Sequence, residues 1–441
     1  MHYIGIALGY RSLGGVPLIV RALRARGLTP VLVADEHVAD YSRDLIERGR
    51  VIASDETIRH PAAFAGKLFM LLDRMFGAGG YCVLAIVNFQ DRMWPLYMQL
   101  ARLWPSAATT PVNIVERTAI KPNFRHVTAN TEFGVKYAVV PSATAVEDIL
   151  ALDRLGDQVI VKPVAGSGGD HVRRIARSDR AGVHAAVSAI RASYEGWGRP
   201  TAPLFDFDGS EMALTEYVLV EELVAGTEFS VEGHVTRDGR VEPLVVLRKT
   251  DTREQPFRDL EYVWPTAEPT SKRVADDAQA LLRHVGYFGQ AFHLEMKYDG
   301  TGAARPIELN PRQGGGSIGD FVEAITGVNL HARTVHGLLE GRSAPNASLV
   351  LRVIQPPGDL QHGTYCLEGC PGLSELQSDD SCVYARRFVD DGTLLEIGNQ
   401  EHYLVEFAVG TVGEERAIAK ARAIEERLAP KLSPTRLVAP K

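Results

Sequence analysis

Short β-rich runs alternate with amphipathic runs through the first hundred or so residues. YIGIAL, PVLVA, RVIAS and YCVLAIVNF are bounded by Gly, Pro or polar residues, which predicts strands. Between them, VPLIVRALRARG, a stretch near Val38 to Glu47, and the residues from about Pro61 to Phe76 carry apolar positions at helical spacing. That alternation predicts βαβ units and a parallel sheet. Pro105, Pro111 and the intervening SAATT mark a junction before a helix starting near Asn113. Beyond it the pattern predicts the strand QVIVKP, a glycine loop, a helix near Asp179 to Glu195, a polar stretch GWGRPTAPLFDFDGSEM and the strand YVLVEEL. The strands EFSVEGHV and RVEPLVVLRK, the helix SKRVADDAQALLRHVG and two strands joined by DGTG follow. The last stretch, after about Ser343, mixes short strands with one amphipathic helix, EERAIAKARAIEERL, and reads as a small α+β appendage.

Length and charge narrow the function. A chain of 441 residues is long enough for about three domains. Apolar residues at 45% and charged residues at 23% describe an ordinary globular protein, and four cysteines cannot form a disulfide framework. The net charge of −7, without a Lys/Arg block, lacks the footprint of a nucleic-acid binder. No basic leader and no long apolar run is present. A cytoplasmic protein acting on small molecules, with no membrane or nucleic-acid partner, is expected. Dimers are the commonest soluble assembly, so a homodimer is the form to look for first. The loop after the first strand carries Gly9, Gly14 and Gly15 but is not GxGxxG, so the dinucleotide fingerprint fails on spacing. Cys366, Cys370 and Cys382 contain no CxxC pair, which argues against zinc.

The segment QAFHLEMKYDGTGAARPIELNPRQGGGSIGD makes a sharper prediction. His293, Glu295 and Lys297 share one face of a strand, and Pro306, Glu308 and Asn310 share a face of the next. With Gly300 to Ala303 as the turn, Glu295 falls opposite Glu308 and His293 opposite Asn310. Facing carboxylates repel unless a positive group lies between them. Two carboxylates and an amide carbonyl are hard oxygen donors that suit Mg²⁺ with substrate phosphates; splayed glutamates on a solvated sheet face are the plainer alternative. Arg312, Gly314, Gly315, Gly316 and Ser317 then precede a helix, where backbone amides, a Ser317 cap and the helix dipole favour an anion. Lys162 precedes Gly166, Ser167, Gly168 and Gly169, which is not a Walker A order and suits a glycine flap over phosphates. Glu221 and Glu228 flank a glycine-containing turn. His234, His284, His331 and His336 read as packing or surface positions, whereas His293 lies beside the metal face.

Taken in order, these segments resemble the ATP-grasp superfamily. Lys121 and Arg125 stand where its early helix lysine and arginine stand, VKPVAGSGG resembles its second lysine and flap, VEELVAGTEFSVE its hinge strand, and HLEMKYDGTGAARPIELNPRQGGG its metal hairpin. Ile120 precedes Lys121 where an acidic residue is usual. The resemblance implies ATP between two α+β lobes. It puts Lys121, Lys162, Gly166, Ser167, Gly168 and Gly169 on the phosphates, Glu221, Glu222 and Leu223 by adenine, and Glu228 on ribose. Glu295, Glu308 and Asn310 would bind Mg²⁺, with Mn²⁺ as a substitute. Arg312, catalytic together with Lys162, would hold the transferred phosphate and acyl intermediate, and His293, Gly314, Gly315 and Ser317 would line the substrate.

The implied fold is α/β and α+β: a Rossmann-like N-terminal domain over 1–112, a central lobe with the flap over 113–225, a metal-bearing lobe over 226–345 and a small C-terminal lobe over 346–441. FRDLEYVWPTAEP and the C-terminal stretch are similar to those of carboxylate-amine ligases that include bacterial L-amino-acid ligases. The activity implied is amide or peptide bond formation through an acyl phosphate, with release of ADP, from small-molecule carboxylate and amine substrates in secondary metabolism such as antibiotic biosynthesis. Loading of an amino acid onto a carrier protein and bicarbonate-using carboxylation are the alternatives. A non-catalytic regulator fits poorly, because Lys162, Glu295, Glu308 and Asn310 are all retained.

Overall fold

The computed structural model describes residues 1–9, 16–34, 45, 47–141, 153–166, 169, 171–194, 204–207, 210–254, 257–265, 269–336, 348–357, 360, 363–369, 376, 382–387, 389, 393–397, 404–411, 413–428 and 430–434. Gly14, Gly15, Ser167, Gly168, Cys370 and most of the helix expected near Val38 to Glu47 lie outside the described residues. The chain forms two compact units, one of residues 1–167, 171–246 and 268–343 and one of 168–170, 247–267 and 344–441.

The first unit opens with β1 (His2–Gly9), α1 (Val16–Ala25), β2 (Thr29–Ala34), β3 (Val51–Ala53), α2 (Glu56–Arg59), α3 (Pro61–Phe76) and β4 (Tyr81–Asn88). As the alternation predicts, the strands are parallel, in the order β3-β2-β1-β4. Ile4, Ile6 and Leu8 pack against Phe64, Leu68 and Leu72 of α3, while Ala7 packs with Ile19 and Leu23 of α1. A Cβ at Gly5 would meet Leu23 Cδ2 at 2.6 Å, so glycine there lets α1 close onto the sheet. The carboxyl end of β4 leads through a 3₁₀ turn, Asp91–Met93, into α4 (Trp94–Leu103).

Next come α5 (Val112–Thr118), α6 (Lys121–Thr128), β5 (Tyr137–Pro141), β6 (Gln158–Pro163), β7 (Arg173–Ala176), α7 (Arg180–Tyr194), β8 (Leu204–Phe207), β9 (Ser210–Ala213) and β10 (Tyr217–Glu222). The sheet β5-β10-β6-β7 is antiparallel throughout. Val183, Val187 and Ile190 of α7 cover Val159, Val161, Val218 and Val220. The stretch read as polar contains the hairpin β8–β9. Its strands are four residues each, too short for alternation to register.

β11 (Thr227–Val235) and β12 (Val241–Glu254) follow, and β13 (Phe257–Trp264) belongs to the second unit. The first unit then continues with α8 (Thr270–Val285), β14 (Gln290–Tyr298), β15 (Arg305–Asn310), α9 (Ile318–Thr326) and α10 (Leu330–His336). Its strands run in the order β15-β14-β11-β12, of which β12 belongs to this unit as far as Val246. Val274, Ala278, Leu281 and Leu282 form one stripe of α8, and they bury against Phe229, Val231, Phe292, Leu294, Met296 and Leu309. Gly286, left-handed at φ 68°, ends that helix. With the apolar face of β11, β14 and β15 spent on α8, period-2 geometry turns Glu228, Ser230, Glu232, His293, Glu295 and Lys297 to the opposite face.

The second unit holds β16 (Ser348–Ile354), β17 (Gly363–Gly369), β18 (Cys382–Arg387), β19 (Leu394–Ile397), β20 (Val405–Thr411), α11 (Glu414–Arg427) and β21 (Lys431–Pro434). β13, β16, β20 and β18 neighbour one another in that order, and β19-β17-β21 form a separate small sheet. Ala417, Ala421 and Ile424 of α11 pack on Val350, Phe407 and Val409. Among the described residues, no helix is long and apolar enough to cross a membrane.

Candidate active site

The polar face of β11, β14 and β15 carries two rows of side chains. Ser230, Glu295 and Glu308 align across the three strands, and Glu232, His293 and Asn310 align beside them. The predicted pairs Glu295–Glu308 and His293–Asn310 are therefore present. Repulsion within the glutamate pair is relieved by the protein's own cations. His293 Nε2 lies 3.3 Å from Glu295 Oε1, and Lys121 Nζ lies 3.4 Å from Glu308 Oε1. His293 Nδ1 also pairs with Glu232, whose carboxylate accepts the Ser230 hydroxyl at 2.5 Å. Burial alone would keep this imidazole neutral, but Glu232 and then Glu295 outweigh it and raise its pKa to about 10.

The register changes between Glu295 and Met296, with Met296 opposite Pro306 and Lys297 opposite Arg305. Ile307 is the extra residue, a bulge that strict alternation does not anticipate. Arg125 of α6, 1% exposed, holds the bulge, donating from Nη1 to the Pro306 carbonyl and from Nη2 to the Ile307 carbonyl, both at 2.8 Å. The same guanidinium grips Glu221, with Nε to Oε2 at 2.7 Å and Nη2 to Oε1 at 3.1 Å.

Lys162 pairs with Glu221 as well, and its Nζ lies 3.5 Å from the Ile307 carbonyl. Burial would raise the pKa of Glu221, but Arg125 and Lys162 prevail and hold it at about 2. The Glu221 carboxylate thus lies between two cations. Lys121 Nζ donates to the Gly166 carbonyl at 2.9 Å, joining the start of the glycine loop to the hairpin; Gly166 and Gly169 both take positive φ. Along the hinge strand, the Glu222 and Leu223 amides donate to the Lys136 and Gln158 carbonyls. Glu222 Oε1 accepts from Arg305 Nη2 at 2.6 Å, and Glu228 Oε2 stands 3.5 Å from Lys297 Nζ.

Arg312 is buried, and it forms a two-pronged ion pair with Asp91 from the 3₁₀ turn after β4, with Nε to Oδ1 at 2.8 Å. Its Nη1 donates to the Gln313 carbonyl at 2.8 Å. The glycine run does turn an amide toward an anion, and the anion is the protein's own: Gly314 N donates to Glu232 Oε2 at 3.0 Å. A Cβ at Gly314 would meet Ile318 Cγ2 at 2.6 Å, so the run also lets the chain fold over the start of α9. Among the described residues, none beyond its chain neighbours stands within 4 Å of where a Gly315 Cβ would be. Ser317 occupies the N-cap position but makes no side-chain capping bond. Its φ of −96° and ψ of 15° are not the extended values from which a capping hydroxyl reaches the helix amides. Asp91 also lines a small apolar pocket together with Trp94, Met98, Val115, Ile120 and Leu214.

The structure gathers these predicted residues in pairs about the hairpin: Lys121 with Glu308, His293 with Glu295, and Lys162 with Glu221 and the Ile307 carbonyl. Asp91 and Glu232 are absent from the sequence reading, and Arg125 enters it only by its spacing from Lys121. Glu232 was within reach of the alternation that exposed Glu228, whereas Asp91 lies 221 residues from its partner and gives no local signal. No three His, Cys, Asp or Glu side chains among the described residues are grouped to hold a metal alone. A divalent cation at Glu295, Glu308 and Asn310 would therefore take further oxygens from a bound phosphate, which fits a hard ion and this donor set.

Residues 155–320 match the sequence family of the ATP-grasp domain. No curated protein sequence matches the chain. Among solved structures, an L-amino acid ligase from Bacillus licheniformis superposes with a TM-score of 0.73 at 17% identity, over 98% of this chain and 99% of that one. A biotin carboxylase from Campylobacter jejuni gives 0.67 at 15% identity, over 97% and 92%. A phosphoribosylglycinamide synthetase from Anaerococcus prevotii gives 0.60 at 12% identity, over 98% and 100%. The chain thus has the ATP-grasp fold, and its residues 155–320 match the ATP-grasp domain family.

Proposed function

We propose that the chain is an ATP- and Mg²⁺-dependent carboxylate-amine ligase that makes an amide or peptide bond and releases ADP and phosphate. The observation that carries this reading is the convergence of two buried lysines, Lys121 and Lys162, on the hairpin whose strands oppose Glu295 and Glu308. In this reading both lysines and the loop from Gly166 to Gly169 hold the phosphates. Glu221, Glu222 and Leu223 border the adenine, Glu228 takes the ribose, and Arg312 holds the acid with His293, Gly314, Gly315 and Ser317 beside it. Mg²⁺ on Glu295, Glu308 and Asn310 would supply charge neutralisation at the phosphates.

An oxygen of the substrate carboxylate attacks the γ-phosphorus and the bond to the ADP oxygen breaks. An amine nitrogen then attacks the acyl carbon, the carbon–oxygen bond to phosphate breaks, and the nitrogen loses a proton. Both steps need positioning and charge neutralisation more than a protein nucleophile. Exclusion of water protects the acyl phosphate, and a glycine-rich flap suits that task.

Amino acids are the substrates we favour, in keeping with the L-amino acid ligase among the similar structures. The apolar walls at Trp94, Met98, Val115 and Ile120 suit an apolar substituent on the acid. A cytoplasmic location fits an ATP-consuming enzyme of this kind. Bicarbonate in place of the organic acid is the second reading, favoured by the likeness to biotin carboxylase. The test is ATP turnover across a matrix of acids and amines with Mg²⁺. ADP, phosphate and a product equal to acid plus amine minus water support the ligase; turnover that needs bicarbonate and no organic acid supports the second reading.

A further inference from the structure

We propose that Asp91 is a positioning residue, the group by which the N-terminal parallel-sheet region sets the orientation of the Arg312 guanidinium toward the acid substrate. The inference rests on the ligase reading and adds to it a residue outside the ATP-grasp domain.

Asp91 follows directly from topology. β4 ends at Asn88, and Asp91 begins the 3₁₀ turn that connects its carboxyl end to α4. Carboxyl ends of parallel strands are where open α/β sheets present groups to ligands. Its two oxygens meet Nε and Nη2 of Arg312, a fork-on-fork contact that fixes both the plane and the rotation of the guanidinium. Both side chains are buried, at 6% and 7% exposure, so the pair is neither screened nor frayed by water.

The donor count gives the contact its consequence. A guanidinium has five N–H groups. Asp91 takes two and the Gln313 carbonyl a third. Two remain without an acceptor among the described residues, the number needed for a two-pronged grip on one more anion. Asp91 therefore leaves the donor edge open while holding it still. Glu308 and Glu232 also act on Arg312 through their charge. Without Asp91 the guanidinium would turn toward the hairpin carboxylates, and the edge meant for the acid would be spent on Glu308.

Three proteins decide it: the full-length wild type, Asp91→Asn and Asp91→Glu. Asp91→Asn removes one acceptor and the counter-charge, and should lower kcat/KM for the acid by about 10², the scale of a misplaced catalytic group. KM for ATP and the affinity for MgADP, read by calorimetry, should stay within about twofold, since a group that orients only the acid adds nothing to nucleotide binding. Asp91→Glu keeps the pair but shifts it, and should fall between the two for the acid alone. Asp91→Asn with wild-type acid kinetics overturns the inference and leaves the ligase reading intact. Equal losses for acid and MgADP overturn it too, in favour of a purely structural pair. If Asp91→Asn does not fold, Asp91→Glu decides: a raised acid KM at constant ATP KM supports the role, and an unchanged acid KM ends it. A wild type that makes no ADP with any acid defeats the ligase reading and this inference together.

Discussion

The ammonium of Lys121 stands 3.4 Å from Oε1 of Glu308, so the proposed phosphate cation and the proposed metal ligand neutralise each other in the protein alone. Under the proposed function, binding of Mg²⁺ and nucleotide would be an exchange of partners, with Lys121 passing to phosphate and Glu308 to the metal. Lys121→Met should weaken MgADP about tenfold to a hundredfold, the size of one hydrogen bond to a charged group. Calorimetric titration measures it. MgADP affinity unchanged by Lys121→Met would remove Lys121 from the phosphate site.

Glu308→Gln keeps the shape and hydrogen-bonding capacity of the side chain while deleting its charge. Turnover should fall by about 10² or more, and the Mg²⁺ concentration at half-maximal rate should rise. A Mg²⁺ titration of the variant checks this. Wild-type Mg²⁺ dependence in Glu308→Gln would contradict the metal assignment.

Arg125 carries a different burden. Its guanidinium joins Glu221 of the hinge strand to the carbonyls of the hairpin bulge. Arg125→Met would leave Glu221 with Lys162 alone and two buried carbonyls without this donor, and should destabilise the fold by about 3–5 kcal/mol. Arg125→Lys should recover little, because an ammonium cannot reproduce the fork. Denaturant midpoints of the three proteins measure this, and a Met variant as stable as wild type would contradict it.

Alternation exposed the sheet, the hairpin and the opposition of Glu295 to Glu308, because strand faces are set by neighbours two residues apart. It did not expose the bulge at Ile307, which is held by Arg125 from a helix 182 residues away. Glu221 reads as an acidic residue at a strand end, and only its nearness to Lys162 on β6 and Arg125 on α6 makes it a counter-ion. The hairpin β8–β9 escaped because its strands are only four residues each. What the sequence hid was long-range pairing and local irregularity.

Two buried histidines should each weaken the fold as the pH falls. Burial, aided by Arg333, lowers the pKa of His234 to about 4, and burial, aided by Arg312, lowers that of His331 to about 3. The unfolded chain protonates both near 6.5 while the folded chain does not, so stability falls with pH between about 6.5 and 4. Each should cost about 2 kcal/mol on going from pH 7 to pH 5. His331→Gln should flatten its share of that slope. Denaturation midpoints from pH 5 to 7 read the effect; a slope unchanged in both His234→Gln and His331→Gln would contradict it.

The acyl phosphate is the centre of the account, and oxygen transfer tests it most directly. With a productive acid carrying ¹⁸O in both carboxylate positions, ATP, Mg²⁺ and the amine, the account predicts one ¹⁸O in the released inorganic phosphate, one in the amide, and none in ADP. Unlabelled phosphate, or label in AMP with release of pyrophosphate, would contradict it.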